Sequence, residues 1–382
     1  MIEKNDYYRG LSFEKKHVER EVFYSDEEPA FEFFADLSYE GNDIFTTIAK
    51  TENGYAAGNA SGEISVFDSE GELLWSAKEE DTVNALCMAD GFLYAGIGQN
   101  TIVAYRNGVN IWKRKFDRIP TMYYWWEYET QRVASVVASK GLVFAGCGDD
   151  HLRCWDTEGN EKWAYYYRAA VPYKFEIMDI DGDGKEEIII SGGALSAYSQ
   201  IEIIDMSGQL KYRANDFAGA GWTSFTSAIK VFEKYGDKYI LQGVNRNENF
   251  VLKKYTGVEG ENHFETIFSY KLAGAVSALL EDNGTIYAGT SLGFLSAYDM
   301  QGNRKWLTSL NGGVRHIVKT SAGLLVIELD GTMYRLSETG KIQTLSMDSI
   351  IARKIIEYED KLVMIQGSGI YNVLKEPVDE EF

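Results

Sequence analysis

Short apolar runs alternate along the chain with turns built from Gly, Asp and Asn, and no long run repeats its apolar residues at a helical period. Glu63 to Phe67 reads as a strand, Asp68-Ser69-Glu70-Gly71 as a polar turn, and the next run as a second strand closing on Trp75. The stretch Gly58 to Trp75, GNASGEISVFDSEGELLW, returns as Gly96 to Trp112, Gly146 to Trp163 and Gly289 to Trp306. From glycine to tryptophan the offsets are 17, 16, 17 and 17 residues, so the chain is periodic. Each later copy follows an apolar run and a turn, as in VNALCMADGFLYAG, VASVVASKGLVFAG and VSALLEDNGTIYAG.

A full unit is therefore four short antiparallel strands, with a step of 37 residues from Trp75 to Trp112. Four-stranded units at about this period predict the blades of a β-propeller. Seven units run over 43–79, 82–117, 132–166, 172–214, 222–271, 274–310 and 313–348. Residues 350–374 supply only three more strands, Ile350 to Tyr358, Lys361 to Gln366 and Gly369 to Leu374, ahead of an acidic tail over 375–382. An N-terminal strand, assigned to Val18 to Tyr24, is expected to complete that last blade and remove its open edge. The expectation is one all-β domain, an eight-bladed ring. Seven blades is the alternative, because the fifth unit has lost its tryptophan and carries a polar NRNEN loop.

The pattern aromatic-Asp-x-x-Gly-x-x-x-Trp occurs at Phe67-Asp68-Gly71-Trp75, Trp155-Asp156-Gly159-Trp163 and Tyr298-Asp299-Gly302-Trp306. It resembles the repeat of quinoprotein-like (PQQ-repeat) propellers, a family that includes quinone-dependent alcohol dehydrogenases and non-catalytic members. The resemblance implies the fold and a structural role for the repeated tryptophans, packed between blades. The family's enzymes sandwich their quinone with a vicinal disulfide. Cys87, Cys147 and Cys154 include no such pair, so no PQQ is expected. Their odd number also implies no disulfide framework, with a Cys147–Cys154 contact across adjacent strands left open.

One stretch carries a specific chemistry. In DIDGDGKEEIII, Asp179, Asp181 and Asp183 alternate with Gly182 and Gly184 in a loop that Glu187 follows, the oxygen-rich spacing that a hard cation requires. It is similar to the calcium loop of integrin-type (FG-GAP) propeller repeats, with Glu187 where that family more often has Asp. The resemblance implies calcium, or magnesium, held by the side chains of Asp179, Asp181, Asp183 and Glu187 and the carbonyl of Lys185, as a structural clip. Calcium-dependent polysaccharide lyases on a similar scaffold carry many such loops, whereas this chain has one.

Net charge is −20, from 58 acidic against 38 basic residues, and this argues against nucleic acid or an anionic membrane as partner. The first residues contain no apolar signal-like core, which predicts a cytoplasmic protein. His17, His151, His263 and His316 have no metal-site spacing; His316 falls beside Arg315 on an expected inner strand, near the central channel.

Irregular sequence gathers between the second and fifth units. Three links are long and aromatic: the first includes Tyr123, Tyr124, Trp125, Trp126 and Tyr128, the second Tyr165, Tyr167 and Arg168, and the third Phe217 and Trp222. Each joins the outer strand of one blade to the inner strand of the next, so all three are expected on one face, as a recognition surface for a protein or small-ligand partner. The reading that follows is a non-enzymatic scaffold or ligand-binding module, with a quinoprotein-type oxidoreductase or a polysaccharide lyase as the enzymatic alternatives.

Overall fold

The computed structural model describes residues 36–117, 132–167, 174–191, 201–214, 226–244, 250–257, 263–321, 323–345 and 350–375. All regular structure among them is β-strand, in eight four-stranded antiparallel sheets. In blades 1 to 7 the strands follow chain order from the axis outward. The inner strands are Phe45–Lys50, Val83–Ala89, Val133–Ser139, Lys174–Met178, Thr226–Lys234, Val276–Asp282, Val314–Thr320 and, in blade 8, Lys354–Tyr358. The eight-bladed expectation holds, and the seven-bladed alternative falls because Thr226–Lys234 through Phe264–Tyr270 form a complete fifth sheet.

Blade 8 takes its outer strand from the other end of the chain. Asp36–Glu40 pairs antiparallel with Gly369–Leu374, bringing Leu37 opposite Tyr371 and Glu40 opposite Gly369. The place expected for Val18 to Tyr24 is thus occupied by Asp36–Glu40, and residues 18–24 lie outside the described residues. The seam is packed as well as paired: Tyr39 of the closing strand meets the ring of Phe67 of blade 1 edge-on at 4.8 Å. Phe45, Ile48, Tyr55 and Phe67 of blade 1 share a buried cluster with Tyr358, Val363, Ile365 and Ile370 of blade 8.

The recurrent glycine and tryptophan are the two ends of the blade-to-blade joint. A Cβ on Gly58 would lie 2.4 Å from the side chain of Val83, the first residue of the next inner strand; Gly96 and Val133, and Gly289 and Val314, repeat this at 2.5 and 2.4 Å. Only glycine admits so close an approach. Farther out, Trp112 donates from Nε1 to the carbonyl of Thr157 in the next blade (2.8 Å), Trp163 to Met206 (3.0 Å) and Trp306 to Glu338 (2.8 Å). Each indole lies against the left-handed glycine of that neighbour's turn, Gly159, Gly208 and Gly340, where a Cβ would approach it to 2.5–2.7 Å. Phe268 takes the tryptophan's place in blade 5 and packs on Gly302.

Antiparallel order sorts the loops by face. Links from outer to inner strands emerge where the inner strands begin, termed here the entry face. Asp-x-x-Gly turns, and the loops joining first to second strands, lie on the opposite, turn face.

Candidate functional site

The acidic loop joins the strands Lys174–Met178 and Glu187–Ser191 of blade 4, on the turn face. Its carboxylates fold it tightly. Asp179 accepts from the amides of Gly182 (2.7 Å) and Gly184 (3.0 Å), Asp181 from Asp183 (3.2 Å), and Asp183 from Lys185 (2.8 Å). Gly182 and Gly184 sit at φ +76° and +84°, as such a loop requires. Glu187 is fully buried and accepts from the amide of Ile180 (3.1 Å). Carboxylate oxygens of Asp179, Asp181 and Glu187 come within 4.8 Å of one another, a spacing at which three ligands can share one cation. Asp183 is not part of that triad.

A cation is already present, and it belongs to the protein. Lys211, on the outer strand Leu210–Ala214 of the same blade, places Nζ 2.6 Å from Asp181 and 2.7 Å from Glu187, with Asp183 at 4.0 Å. Desolvation disfavours the Lys211 ammonium, but its bonds to Asp181 and Glu187 outweigh this and raise its pKa. Desolvation likewise works against the Asp181 carboxylate, and the lysine reverses it, leaving that pKa lowered. For buried Glu187 desolvation prevails over Lys211 and the Ile180 amide, and its pKa is raised. The donor set fits a hard cation in charge and convergence, with Lys211 as its competitor. Sequence reading missed Lys211 because it lies 24 residues beyond Glu187 and only the fold of the blade brings it back.

The aromatic links divide. Asp117 and Arg132, Tyr167 and Lys174, and Ala214 and Thr226 flank them at the ends of outer and inner strands, all on the entry face. Tyr123, Trp125, Trp126, Tyr128, Arg168 and Trp222 lie outside the described residues. Tyr165 and Tyr167 are described, and they are not free surface. Tyr167 is fully buried, packed with Phe144, Leu152 and Phe175. Tyr165 donates to Glu202 of blade 4 (2.7 Å), whose other oxygen accepts from Arg213 (2.5 Å), an interblade bridge around a buried carboxylate. Among the described tyrosines of this link, Tyr166 is the exposed one, at 37%, and its ring lies 5.4 Å from that of His151. Alternation along an extended strand explains why the middle tyrosine of the three faces out.

Cys87, Cys147, Cys154, Arg153 and His316 all sit on strands of the blades. Cys147 pairs in register with His151 and Cys154 with Phe144, so the two do not meet; all three cysteines are free thiols. Burial pushes the thiols of Cys147 and Cys154 up to about 12, which removes them as nucleophiles at neutral pH. Arg153 grips Asp149 with two bonds of 2.8 and 2.6 Å and covers the ring of Phe116 at 4.4 Å. His316 is on an inner strand, as expected, where burial lowers its pKa and Glu357 lies 4.0 Å away.

No family model matches this sequence, and no curated protein matches it. Solved structures do match in fold. BamB from Moraxella catarrhalis is 16% identical, with 88% of this chain and 98% of that one aligned at a TM-score of 0.67. Sqt1 of Saccharomyces cerevisiae is 12% identical over 92% of this chain and 99% of its own, at a TM-score of 0.70. The computationally designed Ika8 protein is 15% identical over 90% and 99%, at 0.66. Such identities carry the propeller fold and no activity. No helix among the described residues is long and apolar enough to cross a membrane.

Proposed function

We propose that the protein is a non-enzymatic propeller scaffold that presents its entry face to a protein or small-ligand partner. The observation that carries this is positional: the strand ends flanking the three aromatic-rich links of blades 2 to 5 all lie on that face. A ring closed by blade packing does not need such links, and Trp, Tyr and Arg are the residues that dominate binding hot spots. The recognition residues are Tyr123, Trp125, Trp126, Tyr128, Arg168 and Trp222, with Tyr166 taking the surface role expected of Tyr165 and Tyr167. Likeness in fold to propellers such as Sqt1 and BamB supports the scaffold reading only through architecture. Trp126→Ala and Arg168→Ala should each weaken partner capture by about 1–4 kcal/mol while leaving the thermal melt unchanged. Capture equal to wild type from a folded double variant would refute the reading.

In the same proposal the acidic loop is a structural clip for calcium, or magnesium in its place, held by Asp179, Asp181, Asp183, Glu187 and the carbonyl of Lys185. The cation would neutralise the carboxylates that Lys211 otherwise bridges. Calcium should then raise the melting temperature by mass action, and more so in Lys211→Met, where the competing ammonium is gone. Asp181→Ala should abolish the rise. A melt that ignores calcium, magnesium and chelator in both wild type and Lys211→Met would leave the loop a turn closed by its lysine.

A further inference from the structure

The inner strands place positive charge at one end of the central channel. Register makes Lys174 of blade 4 and Lys354 of blade 8 equivalent, each the first residue of its inner strand, and in a ring of eight these blades stand opposite one another. Lys354 reaches across to blade 1, where its Nζ donates to Thr47 at 2.9 Å. Arg315 of blade 7 donates from Nη1 to the carbonyl of Arg353 at 3.3 Å, and its buried Nε has no hydrogen-bond partner. Arg132, from the start of blade 3, is near enough for its charge to act on Lys354, as is that of Arg353.

Acidic residues on these strands lie deeper. Glu176 is two residues farther in than Lys174 and interacts with Lys230 as well; Glu357 is three residues beyond Lys354, within 4.0 Å of His316 and 3.7 Å of Lys375. Lys174 and Lys354 are both exposed to solvent, yet desolvation by the surrounding protein disfavours their charged forms. For Lys354, desolvation and then Arg132 and Arg353 push the ammonium down to about 8. Five basic side chains from the starts of inner strands thus share one opening, where low-dielectric walls focus their field.

We propose that the entry-face mouth of the channel binds a small polyanion carrying phosphate or carboxylate groups, held by Arg132, Lys174, Arg315, Arg353 and Lys354. Arginine offers paired donors that match either oxyanion and lysine a point charge, the combination used for both groups. This site stands independently of the aromatic links, so the two readings fail separately.

The test is calorimetric titration of the full chain with inorganic pyrophosphate and, in a separate arm, citrate, without divalent metal and at low and high salt. One site per chain is expected for at least one probe, weakening as salt rises. Lys354→Met and Arg132→Ala should each lower its affinity about tenfold or more, and Lys354→Arg should retain it. Lys305→Ala, on the outer strand Arg304–Ser309, should leave it unchanged. Tighter pyrophosphate marks a phosphate ligand and tighter citrate a carboxylate. No heat with either probe at millimolar concentration, or affinity unchanged in both Lys354→Met and Arg132→Ala, would overturn the proposal. Should Lys354→Met fail to fold, Arg132→Ala, at an exposed position, decides alone.

Discussion

At the scale of single residues, the joint between blades makes two demands on one glycine. Gly159 has φ +80°, a conformation that costs an L-residue about 1–2 kcal/mol, and a Cβ there would also stand 2.7 Å from the indole of Trp112. Gly236 has the same conformation, φ +83°, with nothing within 4 Å of the added carbon. Gly236→Ala should therefore cost only the conformational part, whereas Gly159→Ala should cost about 1–3 kcal/mol more from overpacking. Denaturant melts of the two variants check this, and equal losses would mean that the indole yields freely. Both partners of this contact were legible in the sequence as a repeated spacing. Their meeting was not, because the tryptophan of one copy touches the glycine of the next. The acidic loop shows the same limit: its carboxylates are contiguous and readable, while Lys211 comes from a strand that only the sheet brings near.

At the scale of the element, the Asp-x-x-Gly turn is a small carboxylate cage. Asp156 accepts from the amides of Glu158 (3.0 Å) and Asn160 (2.8 Å), and Asp205 and Asp299 repeat the arrangement in blades 4 and 6. Slight desolvation would raise these carboxyls, but the bonds to backbone and neighbouring side chains prevail. Asp156 falls to about 2, and Asp205 and Asp299 are also lowered. A depressed folded pKa gives stability that is complete above the unfolded value of about 3.9 and is lost as pH falls through the folded one. Wild type should therefore lose stability between about pH 4 and 2 faster than Asp156→Asn, whose amide oxygen still accepts but does not titrate. The gap between their melting temperatures should narrow on acidification, and a gap independent of pH would remove the turn carboxylate from the acid response. Turn and flanking strands were both read from the sequence, since Asp and Gly announce them locally. The outer strand of blade 8 was not: Asp36–Glu40 (DLSYE) is short, and Leu37 and Tyr39 are its only large apolar residues.

For the whole molecule, that short strand decides whether the ring is closed. Without Asp36–Glu40 the strand Gly369–Leu374 becomes an open edge, with its backbone groups free to pair with another chain. Blade 1 would also lose the ring of Tyr39 from Phe67 and Phe45, at 4.8 and 6.3 Å, and Ser38 would no longer donate to the carbonyl of Ile370 (3.1 Å). The buried cluster of Phe45, Tyr55 and Phe67 with Val363 and Ile370 then faces solvent on one side. Because each blade packs only on its neighbours, a break at this seam leaves the other joints formed but removes the constraint that makes them one cooperative unit. Deleting residues 1–35 retains the closing strand, whereas deleting residues 1–42 removes it. The longer deletion should therefore melt earlier and less steeply than the shorter one, and should self-associate where the shorter one does not. A replacement peptide spanning Asp36 to Glu40, added in trans, should restore part of the lost stability by strand addition. Identical melts and a monodisperse monomer from both deletions would show that the ring stays closed through the contacts of Lys354–Tyr358 and Lys361–Gln366 with blade 1 alone.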